Sequence, residues 1–263
     1  MKKFLFGLMS VCTMLLSCKK DHSKADSNAT HKVVFNVGFS QSTAAFKTNN
    51  LNLNTLKSNS VDTALTNHIG VLYFAVYNSS GNSVHIIKQL STDASFGSFS
   101  DNLPNGTYTL VVAGGGGSLV FVSRTGDQPG NLDTDVLSYG FEFLDEPTWA
   151  LFNSDTFYKK TTFTVTSADA SKNISLDRIT SKLVVNIEDA LPSNAKTMFL
   201  QAFPPVSFDI STGAPSPDPE MYHDHSVVPL LSLVKPITAG EIGTTNYKMS
   251  TIVLTSRPFS VSL

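Results

Sequence analysis

Cysteine is almost missing from this chain. Of 263 residues only two are cysteine, Cys12 and Cys18, and both lie near the amino end. A disulfide framework and a cysteine-based zinc site are therefore excluded from the body of the protein. Tryptophan occurs once, at Trp149, and charged residues make up only 15% of the chain. No stretch of roughly 20 apolar residues exists, so no segment reads as a membrane-spanning helix. Sustained helical periodicity is absent, and so is an internal repeat. No Gly-x-Ser-x-Gly elbow marks a serine nucleophile. Gly114–Gly117 lacks the Gly-Lys-Ser/Thr that makes a phosphate cradle, and reads instead as the bend that ends a strand.

The amino end carries the strongest positive signal. Lys2 and Lys3 precede an apolar run from Phe4 to Leu16, followed by Ser17-Cys18. A basic start, a short apolar core and a small residue before the cut describe a secretory leader. Leu15-Leu16-Ser17-Cys18 resembles a bacterial lipobox. That resemblance implies cleavage between Ser17 and Cys18 and acylation of Cys18. With residues 1–17 removed, no free cysteine is left and the net charge becomes about −4, which gives no electrostatic reason to bind nucleic acid. Residues 18–31 are polar and aperiodic and read as a flexible tether.

Beyond the tether the texture is strand after strand. Val33, Phe35, Val37 and Phe39 alternate along a half-buried strand. Residues 40–66 read as a long loop with a short helix near 61–66. Ile69–Tyr77 is apolar on both faces and is expected to be a central strand. Asn78–Asn82 turns the chain, and Val84–Leu90 returns as a hairpin arm. Phe96–Phe99, the turn Leu103-Pro104-Asn105-Gly106 and Thr107–Ala113 read as a second hairpin. Residues 123–160 are loop-rich. Asn173–Glu188 gives the longest strand signal, and Lys196–Phe203 another. From Pro204 the texture changes, as Pro204, Pro205, Pro215, Pro217 and Pro219 interrupt the pattern, so a boundary is placed near 200. The expected fold class is all-β, with two tandem transthyretin-like or Ig-like β-sandwiches. The first spans 32–200; the second, 201–263, is short or incomplete. The last run, Ile252–Leu263, stops while still alternating. It is expected to be an edge or exchanged strand, at the true end of the chain or at the end of an incomplete copy.

Four candidate sites have a plainer structural reading beside the functional one. His223 and His225 could share a strand face and chelate a metal, but no third ligand has recognisable spacing, so a solvated loop is expected. Asp127, Asp133 and Asp135 lack calcium-loop spacing and read as an exposed turn. Arg178 is either a docking residue or an outward side chain whose stem covers apolar surface. Trp149 either stacks on a glycan or pins a loop to the core. No metal, no cofactor and no catalytic residue are expected.

Three internal motifs follow the lipobox in order: LYFAVYNSSGN (72–82), FSDNLPNGTYTLVVAGG (99–115) and ISLDRITSKLVVNIEDALP (174–192). The second is similar to a hairpin of transthyretin-like and carboxypeptidase-regulatory-like sandwiches. The third is similar to a strand of the fimbrillin-associated anchor proteins of Bacteroidetes. Leu176, Arg178, Lys182, Leu183, Val185 and Ile187 hold its positions, and Ser181 stands where a small Ala is usual. The resemblance covers residues 30–200. It implies a non-enzymatic lipoprotein on the outer membrane that anchors or assembles fimbriae, with fimbrial subunits as partners joined by strand exchange. No Arg precedes Arg124 for the proteolytic maturation of a shaft subunit, which leans toward an anchor. The alternative is a surface lipoprotein that binds glycan or host protein without polymerising, with the aromatic stretch 139–158 as its binding face.

Overall fold

The computed structural model describes residues 29–39, 64–117, 119–139, 141–143, 149–151, 154–202, 207–216, 231–254 and 261–262. Among the described residues eighteen strands form: β1 (Thr30–Phe39), β2 (Val71–Tyr77), β3 (Ser83–Leu90), β4 (Ser98–Pro104), β5 (Gly106–Gly115), β6 (Leu119–Ser123), β7 (Asp135–Tyr139), β8 (Phe141–Phe143), β9 (Trp149–Leu151), β10 (Phe157–Val165), β11 (Ala170–Arg178), β12 (Thr180–Ile187), β13 (Thr197–Ala202), β14 (Ser207–Asp209), β15 (Ala214–Pro215), β16 (Leu231–Pro236), β17 (Tyr247–Leu254) and β18 (Val261–Ser262). The described residues contain one 3-10 turn, Leu65–Asn67, and no α-helix. The protein is all-β, as its alternating pattern predicts.

Seven strands share one hydrogen-bonded order, β3-β2-β5-β10-β11-β1-β4. The order folds over at β11. Its residues 170–176 pair in parallel with β1, while Asp177 and Arg178 pair with β10. The result is two facing layers, β4-β1-β11 and β3-β2-β5-β10. Val33, Phe35, Leu72, Phe74, Val76, Leu110, Val112, Phe163, Ile174 and Leu176 fill the space between them. A third layer, β6-β7-β14-β15, covers the other side of β3-β2-β5-β10. Tyr73, Ala75, Tyr77, Val111, Tyr158, Phe121, Leu137 and Phe208 make that second core. A strand buried on both faces has no polar side to show, and all seven residues of β2 are buried.

Three tyrosines of the middle layer carry hydroxyls into the third layer. Tyr73 donates to the Leu119 carbonyl at 3.2 Å, Tyr77 to Asp135 Oδ2 at 2.8 Å and Tyr158 to the Ile210 carbonyl at 2.6 Å. Burial and the nearby carboxylates push the Tyr77 and Tyr158 hydroxyls far above the ordinary phenol range. Both remain donors at any physiological pH.

The turn at Leu103–Gly106 does not make a hairpin. β4 pairs with β1, and β5 pairs with β2 and β10, so the chain passes from one layer to the facing one. Tyr108 explains the corner. Its hydroxyl donates to the Pro104 carbonyl at 3.0 Å, and its ring lies 3.4 Å from where a Cβ on Gly106 would sit. A tyrosine bonded back over a corner is a recurring device of Ig-like sandwiches. Tyr108→Phe is expected to cost about 1 kcal/mol, the typical net value of one hydrogen bond, measured by urea unfolding.

The edges β3 and β4 are joined through side chains. Gln89 Nε2 donates to the Ser98 carbonyl at 2.8 Å, and Gln89 Oε1 accepts from Gly97 N at 3.0 Å. His85 Nδ1 lies 2.6 Å from Asp101 Oδ2. The seven-stranded order is thereby closed without a backbone ladder between its ends.

Asn173–Glu188, which reads as one strand, is two. β11 ends at Arg178, and β12 starts at Thr180 and pairs along its whole length with β17. β16-β13-β18 is the facing sheet. Leu191, Leu200, Tyr247 and Met249 form a smaller core there, with half-buried Leu183, Val185 and Ile187 against it. A two-stranded sheet cannot bury these three fully.

Strand pairing crosses position 200, where the sequence reading places its boundary. β14 and β15 follow β13 in sequence, yet β14 pairs with β7 of the first sandwich. β12 precedes 200 and pairs with β17.

Candidate functional site

The best-built polar cluster lies where β11 becomes β12. Arg178 Nη2 donates to Asp155 Oδ2 at 2.6 Å, and Thr180 Oγ1 donates to Asp155 Oδ1 at 2.9 Å. Thr156 N donates to Thr180 Oγ1 at 3.1 Å, and Ile179 N to the Thr156 carbonyl at 2.9 Å. The Arg178 guanidinium also lies 5.3 Å from the Phe157 ring centroid, within cation–π range. Arg178 is thus neither an outward residue nor an exposed docking residue. Its side chain is 12% exposed and fastens segment 154–156 to the strand break.

Gly114–Gly117 receives the same segment. A Cβ on Gly116 would lie 2.6 Å from Ser154 Cβ, and a Cβ on Gly114 would lie within 2.9 Å of Ile69 and Leu72. Gly116 N donates to Ser154 Oγ at 2.7 Å. These glycines permit close approach inside the sandwich. The strand also runs through Gly114 and ends at Gly115, one residue later than a bend at Gly114 would allow.

A second polar cluster holds the β14–β15 hairpin on the first sandwich. Arg124 Nη2 donates to Asp209 Oδ2 at 2.9 Å. Asp209 Oδ1 accepts from Ser211 N at 2.8 Å and Thr212 N at 3.1 Å, and Lys160 Nζ donates to the Ser211 carbonyl. Burial pushes the Asp209 carboxyl up. The bonds from Arg124, Thr212 and Ser211 outweigh that and hold it below the ordinary carboxylate range.

The acidic run 127–135 is not uniformly exposed. Asp135 is fully buried and accepts from Tyr77 and from Gly130 N. Burial raises its pKa, outweighing those bonds. Asp133 stays exposed in a turn capped by Asn131, and Asp127 accepts from Thr125 Oγ1. Among the described residues, no group of three or more His, Cys, Asp or Glu is placed to hold a metal ion. None of their helices is long and apolar enough to cross a membrane.

Ser17, Cys18, the tether to residue 28, His223 and His225 lie outside the described residues. Trp149 stands in β9, paired with Phe143 of β8. Phe157 and Tyr158, at the end of the aromatic stretch, are buried in the two cores and cannot line a binding face.

The expected edge strand at 252–263 contains parts of two edge strands, β17 and β18, and its first residues are firmly held. Ile252, Val253 and Leu254 are the last rungs of β17, paired with Lys182, Ser181 and Thr180. Val253 and Leu254 are buried in the core beside the third layer. Val261 and Ser262 pair with Ala202 and Gln201. Among the described residues, the unpaired edges of the smaller unit are one side each of β12, β17, β16 and β18. Val184 on β12 and Phe199 on β13 are its large exposed apolar side chains, 50% and 46% accessible.

Nothing in the sequence pairs Asp155 with Arg178 or Arg124 with Asp209, since each pair is joined only through sheet packing. Arg178 alone stands out, as a charge that follows Ile174 and Leu176 at the next alternate position.

No protein-family model and no curated protein matches the chain. Solved structures do match its fold. A candidate polysaccharide-binding protein from Bacteroides thetaiotaomicron aligns with TM-score 0.57 at 13% identity, over 88% of this chain and 75% of its own. A candidate adhesin from Bacteroides ovatus aligns with TM-score 0.55 at 10% identity, over 88% and 72%. The fimbrial anchor protein Mfa2 of Porphyromonas gingivalis aligns with TM-score 0.52 at 12% identity, over 89% and 78%. At these identities the shared property is the fold. The resemblance read from the sequence is upheld at that level.

Proposed function

We propose that this chain is a non-catalytic surface lipoprotein that anchors or assembles fimbriae on the outer membrane. One combination carries the reading. A leader ending in Leu-Leu-Ser-Cys stands ahead of a fold shared with a fimbrial anchor protein. Acyl chains on Cys18 would hold the protein to the membrane, because each buried methylene contributes about 0.8 kcal/mol. Residues 19–29 would then lift the sandwich away from the lipid.

We place the division between the two units at Ile179, a reading supported by the pairing of β12 with β17 and of β14 with β7. One unit comprises 30–178 with the returning hairpin 207–216, and the other comprises 180–202 with 231–262. Fimbrial subunits would add a strand to the smaller unit, whose strands β12, β17, β16 and β18 each have one unpaired edge and whose β12 carries the exposed Val184. Main-chain bonds supply affinity in such pairing, and alternate side chains supply specificity.

Cys18→Ala is the direct test of the anchor. The wild-type chain is expected to partition into detergent and to label with palmitate, and the variant to do neither. A variant that stays membrane-bound and labelled rejects the lipid reading. A second reading, glycan binding without polymerisation, draws support from the candidate polysaccharide-binding protein that shares this fold. Binding of surface glycans by the isolated protein, with fibre assembly unchanged in its absence, would favour it.

A further inference from the structure

We infer that the β4-β1-β11 layer is a tension-bearing clamp, loaded in shear when the amino end and the smaller unit are pulled apart. The direction of load rests on the proposed surface-tether function; the strength of the clamp does not.

The geometry is set by one parallel pairing. β1 runs alongside β11 in the same direction, from Val33↔Ala170 to Phe39↔Leu176. The tether enters β1 at its start, Thr30. The path to the smaller unit leaves β11 at its end, Arg178, through Ile179 into β12. Pulling these two points apart drags β1 backward and β11 forward along one axis. Every rung between them is strained together. Pulling equivalent ends apart would instead open the rungs one at a time.

β1 is also held on its other side. It pairs antiparallel with β4 from Thr30↔Pro104 to Asn36↔Ser98. Sliding β1 out must therefore break two ladders. Val33 and Phe35 are fully buried between the layers, and Phe35 packs edge-on against Phe163 at 5.2 Å. Phe39 lies 4.7 Å from Phe157 at the far end. Lys32 N donates to Asp169 Oδ1 at 2.9 Å at the near end. On the outer face Ser98 Oγ donates to Asn36 Oδ1 at 3.2 Å, and Asn36 Nδ2 to Ser171 Oγ at 3.3 Å. These two bonds tie all three strands side to side.

The exit point is reinforced too. The Arg178–Asp155–Thr180 cluster sits at the end of β11, where the load would leave the layer. A polar rivet there keeps the end of β11 from peeling away from β10, with which it shares only Asp177 and Arg178.

The test is single-molecule force spectroscopy on the full chain carrying Cys12→Ser and Cys18→Ser, with handles on paired cysteines. Ala29→Cys with Asp177→Cys loads β1 against β11 in shear. Ala29→Cys with Ala168→Cys unzips the same strands from their starts. Gly38→Cys with Asp177→Cys unzips them from their ends, and a Cβ on Gly38 meets no atom within 4 Å. Ala29, Ala168 and Asp177 are exposed. Forced rupture reports the unfolding barrier, and the shear pair is expected to yield at roughly two-fold or higher force than either unzipping pair. A shear force equal to or below either unzipping force overturns the clamp. Two unzipping geometries keep the comparison valid if one substitution perturbs folding. The measurement involves neither lipid nor fibre, so loss of the anchor reading would leave its outcome unchanged.

Discussion

Asp155→Ala is expected to destabilise the protein by about 3 kcal/mol, as expected when one partner of a largely buried ion pair is removed. The carboxylate accepts from both Arg178 and Thr180, and the Arg178 side chain is 12% exposed. Removing it takes one acceptor from two donors and leaves a guanidinium in a poorly solvated place. Asp177→Ala is the matched control one residue from Arg178. Its pair with Lys159 is 2.8 Å long but open to water, at 40% and 54% exposure, so the loss should stay near 0.5 kcal/mol. Chemical denaturation of both variants checks the contrast. Equal losses would mean that the strand break is not held by Asp155.

Deleting residues 252–263 is expected to disrupt the fold itself. Val253 and Leu254 are each 1% exposed, within the core shared by β2, β5, β6 and β7. Burying one such side chain is worth about 1.5–3 kcal/mol, so the pair represents about 3–6 kcal/mol. That is a large share of the 5–15 kcal/mol typical of a domain. Removing only 255–263 keeps β17 whole and should cost much less. Thermal melts and limited proteolysis of the two truncations separate them. A 252–263 deletion that melts like the parent would show that this strand end contributes nothing to the first core.

The apolar pattern of β2 made its central place legible, because burial on both faces leaves a local mark. The strand break at Ile179 also left one. Ile174 and Leu176 face inward at even positions, while Leu183, Val185 and Ile187 do so at odd ones. A continuous strand cannot change parity, so a break or bulge was required between them. The corner at Leu103–Gly106 was half legible. Pro, Gly and Tyr announce a change of direction, but which edge receives the returning strand depends on layers far away in sequence. The return of 207–216 to β7 left no trace. The prolines around it read as loop, and its partners Arg124, Tyr158 and Lys160 lie in unrelated segments. Of the expected site, Cys18 rests on the leader pattern alone and lies outside the described residues, whereas the Asp155 cluster could be seen only once β11 and the 154–156 segment were side by side.

The late hairpin has a consequence for how such a chain reaches its destination. Under the proposed lipoprotein reading, a chain exported amino end first would deliver β1 to β11 before β14 and β17. Until residues 207–216 arrive, β7 lacks its neighbour and Tyr158 lacks the Ile210 carbonyl. Until 253–254 arrive, the core beneath is missing its last apolar side chains. A half-delivered chain therefore presents an unpaired strand edge over an unfilled apolar layer, the state most prone to associate with its neighbours. The first sandwich cannot be completed in transit. Under that order of delivery, the interval between emergence of β7 and of β14 is when a holding factor or a fast passage would protect the chain from association.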